Sequence, residues 1–283
     1  MNPQPGRLRY IGDSASLRDC ESALVDHLTA IVVVCFSVSL IGVSKAGFGG
    51  GLGMLSTPIS VLALTSMGHS PEFALGFLLP LLIVGDAFSA LHYRGKWEFK
   101  NLKVLLPGIV VGVLIGSQLI GRFSPRQLNM VIGALAVGFV VFQFVKEAIL
   151  KLEGTLKPGY GNGTFFGLAA GVTSSFAHGA GPVMSMYLIP QKMPKEIHVA
   201  TRVLIFTCIN WIKAPFFLAA GVVNPMTLMG SVKFVVLVPV GVVIGVWLNR
   251  RFSEEGFMKA VYVLTFLAGL QLIFDFKPTV WFR

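Results

Sequence analysis

Four basic residues and one carboxylate sit inside apolar runs of this sequence: Lys45, His178, Arg202, Lys213 and Asp86. An ionisable side chain at such a place marks either a function or a structural ion pair. Two of them adjoin glycine clusters. Lys45 precedes Gly49, Gly50 and Gly51, and Ser174, Ser175 and His178 precede Gly179 and Gly181. Five glycines fall within residues 47–53, and each costs a helix about 1 kcal/mol against alanine. A break inside an apolar run is tolerated only where the freed backbone groups face protein or a water-filled cavity. The stretch therefore reads as two short helices meeting at a glycine tip. The helix that restarts there presents unpaired N–H groups and a positive dipole end, which together bind anions. The other reading of such glycines is close helix–helix packing.

Each charged side chain has a functional and a structural reading. Lys45 could neutralise a bound anion or be a lysine snorkelling from a helix end. His178 could donate a hydrogen bond or take up a proton, or be satisfied by a backbone carbonyl. Arg202 could hold an oxyanion bidentately or lie among lipid headgroups. Asp86 and Lys213 fall at neighbouring positions of equivalent helices, so they could pair across a pseudo-two-fold axis. Alternatively, Asp86 and Lys213 serve coupling or gating, with H+ or Na+ as the coupling ion. Asn210, Ser174 and Ser175 offer neutral hydrogen bonds, although serines in such helices often bond their own backbone. The candidate substrate-binding set is thus Lys45, Gly49, Gly50, Gly51, Ser174, Ser175, His178, Gly179, Gly181, Arg202 and Asn210.

The tip occurs twice. A shift of 130 carries Ser44, Gly49, Gly51 and Met54 onto Ser174, Gly179, Gly181 and Met184. A shift of 129 carries Gly112, Gly116, Arg122, Phe123 and Ser124 onto Gly241, Gly245, Arg251, Phe252 and Ser253. Two registers one residue apart across half a chain signal an internal duplication.

Composition fixes the class. Hydrophobic residues make up 54% and charged residues 13% of the 283, and several apolar stretches reach the roughly 17–25 residues that cross a bilayer. The net charge of +10 would suggest nucleic acid in a soluble chain. Here the basic residues lie between apolar segments, so they read as topology determinants, and no nucleic-acid partner is expected. Three cysteines without paired or metal-ligand spacing imply neither a disulfide framework nor a zinc site.

These signals predict an all-α polytopic membrane protein of two inverted repeats, each a Gly-rich re-entrant or broken hairpin followed by three transmembrane helices. The expected organisation is a polar N-terminal tail at 1–25, a first repeat at 26–150, a linker at 151–163, a second repeat at 164–276 and a C-terminal tail at 277–283. The tail is not a standard signal peptide. Helices are expected near 72–92, 102–120 and 127–150, and again near 197–219, 226–249 and 257–275. Arg94, Lys96, Lys100 and Lys103, the linker lysines, Lys192 and Lys195, and Arg250, Arg251 and Lys259 define one basic face. On the opposite face loops 68–71 and 221–225 lack Lys and Arg and the loop near 121–126 has only Arg122 and Arg126, so positive-inside puts the basic set in the cytoplasm. Equivalent loops then fall on opposite sides, which inverts the repeats. The run from Pro182 to Pro190 is too short to span roughly 30 Å, so the tips would meet near the midplane, the plan of secondary transporters.

The Gly-x-Gly-Gly-Gly tip followed by Pro58, its second copy Gly179-Ala-Gly181-Pro182, and the size together resemble the sulfite exporter TauE/SafE family, over nearly the whole chain from about residue 28. The resemblance implies a carrier of small sulfur-containing or carboxylate anions, such as sulfite, thiosulfate, sulfoacetate or taurine, in a bacterial inner (plasma) membrane. Ser174, Ser175 and His178 ahead of the second tip depart from the usual pattern and leave the substrate open. No catalytic constellation is present: there is no G-x-S-x-G, H-E-x-x-H, C-x-x-C or P-loop lysine. No cofactor is expected, and with no ATP-binding module transport would run on ion gradients or the substrate's own. Two further readings stand beside the carrier: a sulfur-relay protein or enzyme using Cys35 or Cys208, and a carboxylate or anion channel. The sequence leaves the oligomeric state open.

Overall fold

The computed structural model describes residues 13–45, 53–150, 159–251 and 254–275 of the chain. Among them every regular element is helical. The first half runs α1 (Asp13–Lys45), α2 (Gly53–Ser66), α3 (Pro71–His92), α4 (Phe99–Ile120) and α5 (Pro125–Leu150). The second runs α6 (Tyr160–Ala177), α7 (Gly181–Leu188), a 3-10 turn at Ile189–Gln191, α8 (Lys195–Ala219), α9 (Pro225–Phe234), α10 (Leu237–Arg251) and α11 (Glu254–Phe274). Five helices are long and apolar enough to cross a membrane, and the bent pair α9–α10 makes a sixth candidate. Outward-facing Val110, Val111, Leu114 and Ile115 on α4, and Val236, Val240, Val243 and Trp247 around α10, stay exposed. In water they would form an apolar patch far larger than soluble chains carry, and in a bilayer they face acyl chains.

Three expectations change. Helix α1 has 33 residues and an apolar part, Leu24–Lys45, of 22, about 33 Å at 1.5 Å per residue. It is therefore no short arm. It also begins inside the expected polar tail, because residues 13–41 contain neither Gly nor Pro to stop it. The helix expected at 226–249 is broken at Val235 and Val236 and bent by 41°. Pro239 lacks the N–H that would bond the Val235 carbonyl, and its ring crowds that turn. Finally, α6 starts at Tyr160, within the expected linker. The first glycine tip, with Gly49, Gly50 and Gly51, lies outside the described residues.

The two halves interlock through glycines. Helix α4 of the first half packs along α6 of the second, and α10 of the second along α1 of the first. A Cβ on Gly108 would stand 1.9 Å from the Thr164 carbonyl oxygen, and one on Gly167 2.2 Å from that of Leu105. At the other seam, a Cβ on Gly42 would stand 2.1 Å from the Val238 carbonyl oxygen, and one on Gly241 2.2 Å from that of Ser39. Such backbone contact is how helices associate where burial from water supplies no drive. Gly112 and Gly241, which the 129-residue shift pairs, sit one at each seam. Hydroxyls add local ties: Ser37 Oγ on α1 donates to the Ser56 carbonyl on α2 at 2.7 Å.

Helix α3 is apolar around most of its girth and lies in the middle, touching α1, α2, α5, α8 and α9. Its Leu75, Leu78, Leu79 and Leu81 are fully enclosed and form the heart of the largest apolar cluster. At one end, the exposed ion pair of Lys96 with Glu196 joins the α3–α4 loop to the start of α8. Both basic loops therefore lie on one face, as the charge pattern requires. At the other end, a Cβ on Gly76 would meet the Val222 carbonyl oxygen at 1.9 Å, so the loops poor in Lys and Arg also share a face.

Gly167→Leu is expected to abolish the monodisperse folded protein or lower its melting temperature in detergent by several degrees, since overpacking costs about 1–3 kcal/mol even where backbone can shift. Gly121→Ala, with no atom within 4 Å of the added Cβ, should leave melting unchanged. Size-exclusion and thermal-melting profiles of the two variants check this.

Candidate functional site

The second glycine tip is built by a left-handed residue that is not glycine. Helix α6 ends at His178, at φ 50° and ψ 28°, whose N–H donates to the Ser174 carbonyl, and the Gly179 N–H follows to Thr173. A left-handed residue with a Cβ costs about 1–2 kcal/mol, so the side chain must hold it there. His178 Nε2 lies 3.2 Å from the Leu75 carbonyl on α3, and Nδ1 lies 2.7 Å from Lys213 Nζ on α8. A carbonyl only accepts, so Nε2 carries the proton. Nδ1 then accepts from Lys213 and the ring is neutral. Both ring nitrogens are spent. His178 fixes the tip and cannot ligate an anion without breaking one of these bonds.

Lys213 is fully buried. Its Nζ has three acceptors: His178 Nδ1, and the Ser174 carbonyl and Oγ at 3.1 Å each. Three donors on an ammonium match them one for one. Because Ser174 Oγ accepts from Lys213, its own O–H is free to point elsewhere.

Asp86, fully buried on α3, takes a different partner from the one expected. Its Oδ1 pairs with Lys45 Nζ at the end of α1, and its Oδ2 accepts from Asn210 Nδ2 of α8 at 2.6 Å. Lys213 is not within ion-pair distance of it. The pairing of Asp86 with Lys213 is thereby corrected: one helical position of offset points Lys213 at the α6 end and leaves Asp86 to α1. The aliphatic stem of Lys45 rests against Gly85, where an added Cβ would lie 3.4 Å from Lys45 Cγ, at ordinary contact distance.

Between these two clusters lies a cavity of about 40 Å³, room for a few water molecules or one compact ion. Its polar wall is Ser44 and Lys45 from the first half with Ser174, His178 and Asn210 from the second. Leu82, Phe206 and Ile209 make the apolar wall, and Ala180 and Gly181 open helix α7 onto it. No side chain caps α7, Pro182 has no N–H and the Met184 N–H bonds the Ala180 carbonyl at 2.9 Å, so in its first turn only Gly181 and Val183 carry amides without an intrahelical partner, and Gly181 is the one on the cavity wall. What faces the cavity is mostly donors: the remaining Lys45 hydrogens, the Ser174 hydroxyl, the Asn210 amide and the Gly181 N–H.

The sequence-derived residues distribute unevenly around it. Lys45, Ser174, His178, Gly181 and Asn210 line the cavity. Ser175 does not. Its Oγ donates to the Gly171 carbonyl at 3.0 Å, and it packs where a Gly116 Cβ would stand 2.6 Å from its own Cβ. Gly179 is also absent from the wall, its N–H being committed to Thr173. Arg202 stands one layer back, its guanidinium 5.4 Å from the centre of the Phe206 ring. Ser44 was missed although the 130-residue shift pairs it with Ser174, while the apolar wall carries no sequence signal. Cys35 and Cys208 are free thiols and neither lines the cavity. Among the described residues no three His, Cys, Asp or Glu side chains converge as a metal site would need.

The fold and site together define a multi-pass membrane protein with a buried cavity lined by hydrogen-bond donors. The chain belongs to the TauE/SafE sulfite exporter family, whose sequence model matches residues 34–272. That is a transporter family, which implies a small anionic substrate. No curated protein and no solved structure matched the chain.

Breaking a buried ion pair from one side costs about 3–5 kcal/mol. Asp86→Leu is therefore expected to melt well below the wild type, and Lys45→Met combined with Asp86→Leu to recover most of that loss. The two melting temperatures form half of a double-mutant cycle that checks the pair. At the tip, His178→Asn should melt above His178→Ala, because asparagine tolerates the left-handed backbone and still offers Lys213 an acceptor.

Proposed function

We propose that this protein is a secondary carrier moving a small sulfur-containing anion, a sulfur oxyanion or organosulfonate, across the bacterial inner membrane by alternating access. The observation that carries the reading is the cavity at the start of α7, where an ammonium, a hydroxyl, an amide and the uncapped Gly181 N–H converge. Lys45 supplies charge, Ser174 and Asn210 direct hydrogen bonds, and the Gly181 N–H adds the α7 dipole. By the duplication, the first tip, Gly49–Gly51, is the candidate anion-holding counterpart from the other half.

Both halves contribute, α1 and α3 from the first and α6 to α8 from the second. Reading residues 26–150 and 164–276 as inverted repeats, rocking of one against the other would open the cavity to each face in turn. The reciprocal seams, α4 on α6 and α10 on α1, support that symmetry. Asp86 bridges α1 and α8, and Lys213 ties α8 to the tip. Each could therefore report the state of the site to the moving helices, with H+ or Na+ as the coupled ion. The cysteines lie outside the cavity wall, which weighs against a sulfur relay.

Counterflow in proteoliposomes tests the proposal. Internal unlabelled sulfite or thiosulfate should accelerate uptake of external labelled thiosulfate several-fold. Gly181→Leu, whose Cβ meets nothing nearer than 3.7 Å, should remain folded and lose that acceleration. Uptake indifferent to internal anion would make the protein a channel instead.

A further inference from the structure

Among the described residues, two buried hydroxyls have no hydrogen-bond partner: Thr57 Oγ1 on α2 and Tyr187 Oη on α7. Both residues are fully enclosed. Thr57 stands apart from other helical threonines of the chain. Thr29, Thr65, Thr173, Thr207 and Thr265 each donate to the carbonyl four residues back, the usual way a threonine satisfies itself in a helix. Thr57 makes no such bond. The Tyr187 ring packs on Phe166, with centroids 5.4 Å apart, and Gln191 gives its amide N–H to the Tyr187 carbonyl. A buried polar group left without a partner destabilises a fold, so each calls for a reason to be there.

The two positions correspond. The shift of 130 that carries Gly51 onto Gly181 also carries Thr57 onto Tyr187. They differ in the face toward which their helices run. Helix α7 leads from Gly181 on the cavity wall through the 3-10 turn to Lys192 and Lys195 of the basic face. Tyr187 lies about 9 Å along it at 1.5 Å per residue, in one apolar cluster with Phe206 and Ile209 of the wall. Helix α2 ends at Ser66, beside the loop 68–71 that lacks Lys and Arg. Tyr187 thus stands between the cavity and the basic face, and Thr57 between the first tip and the opposite face.

Building on the carrier reading, we propose that these hydroxyls are hydrogen-bond donors of the two access routes, Tyr187 meeting the small anion on the basic side of the cavity and Thr57 meeting it on the other. A neutral O–H gives the oxygens of an anion a bond along the way without a charge that would hold it there, as passage requires. While its route is packed shut each donor goes without, because its partner is the anion in transit.

The test pairs counterflow of labelled thiosulfate in proteoliposomes with melting in detergent, on the full-length wild type, Thr57→Val, Tyr187→Phe and Thr57→Ser. Valine and phenylalanine keep the shape and lose the hydroxyl, so both variants should melt at or above the wild type. Both should slow counterflow by about fivefold or more, since every exchange uses both routes and loses one hydrogen bond to a charged group. Thr57→Ser keeps the hydroxyl and should stay within about twofold of the wild type. Wild-type counterflow in either Thr57→Val or Tyr187→Phe overturns the assignment and leaves the carrier reading standing. So does melting several degrees below the wild type, which would give that hydroxyl a structural role. A wild type without counterflow overturns both.

Discussion

Asp86 is the one fully buried carboxylate among the described residues, and the interior is arranged around it. A carboxylate in hydrocarbon must be paired and hydrogen-bonded on both oxygens or it destabilises the fold. Lys45 takes one oxygen and Asn210 the other, so three helices, α1, α3 and α8, are tied at one point. Two of these helices carry the ends from which the cavity is built. Lys45 is the last residue of α1 and stands beside the first tip, and α8 holds Asn210 a turn before Lys213.

From that knot the rest follows by exclusion. Because Asp86 is spoken for, Lys213 must find neutral acceptors, and it finds them at the end of α6. Those bonds hold His178 in a left-handed conformation that a histidine adopts only under constraint, which in turn aims the start of α7 at the cavity. The cavity thus gains a backbone donor without a competing carboxylate of its own. On the proposed reading an anion is the occupant of this wall, and the chain belongs to the TauE/SafE sulfite exporter family.

Much of this was legible in the residues. The second glycine tip, the boundaries of α3, α4, α5 and α8 within a few residues, the shared face of the Lys96 and Glu196 loops, and Lys45, Ser174, His178, Gly181 and Asn210 of the wall follow from glycine clustering, apolar length and charge placement. The position of α3 to α5 and α8 was readable because each is a long apolar run bounded by turn residues. What was not legible depends on rotation about helix axes. Whether Lys213 or Lys45 reaches Asp86 turns on one residue of offset, about 100° around a helix. Ser174 and Ser175 are adjacent and chemically alike, yet one faces the cavity and the other the α4 seam. The break at Val235 was signalled by Pro239 and hidden by the strong valine run around it.

The central claim is that an anion occupies the cavity between Lys45, Ser174 and the first turn of α7. The most direct measurement is an experimental structure of the full chain with selenate, whose selenium can be located by anomalous scattering. The account predicts a selenium peak in that cavity, with oxygens at hydrogen-bond distance from Ser174 Oγ and the Gly181 N–H. A peak elsewhere in the bundle, or an empty cavity at selenate concentrations that support uptake, would contradict it.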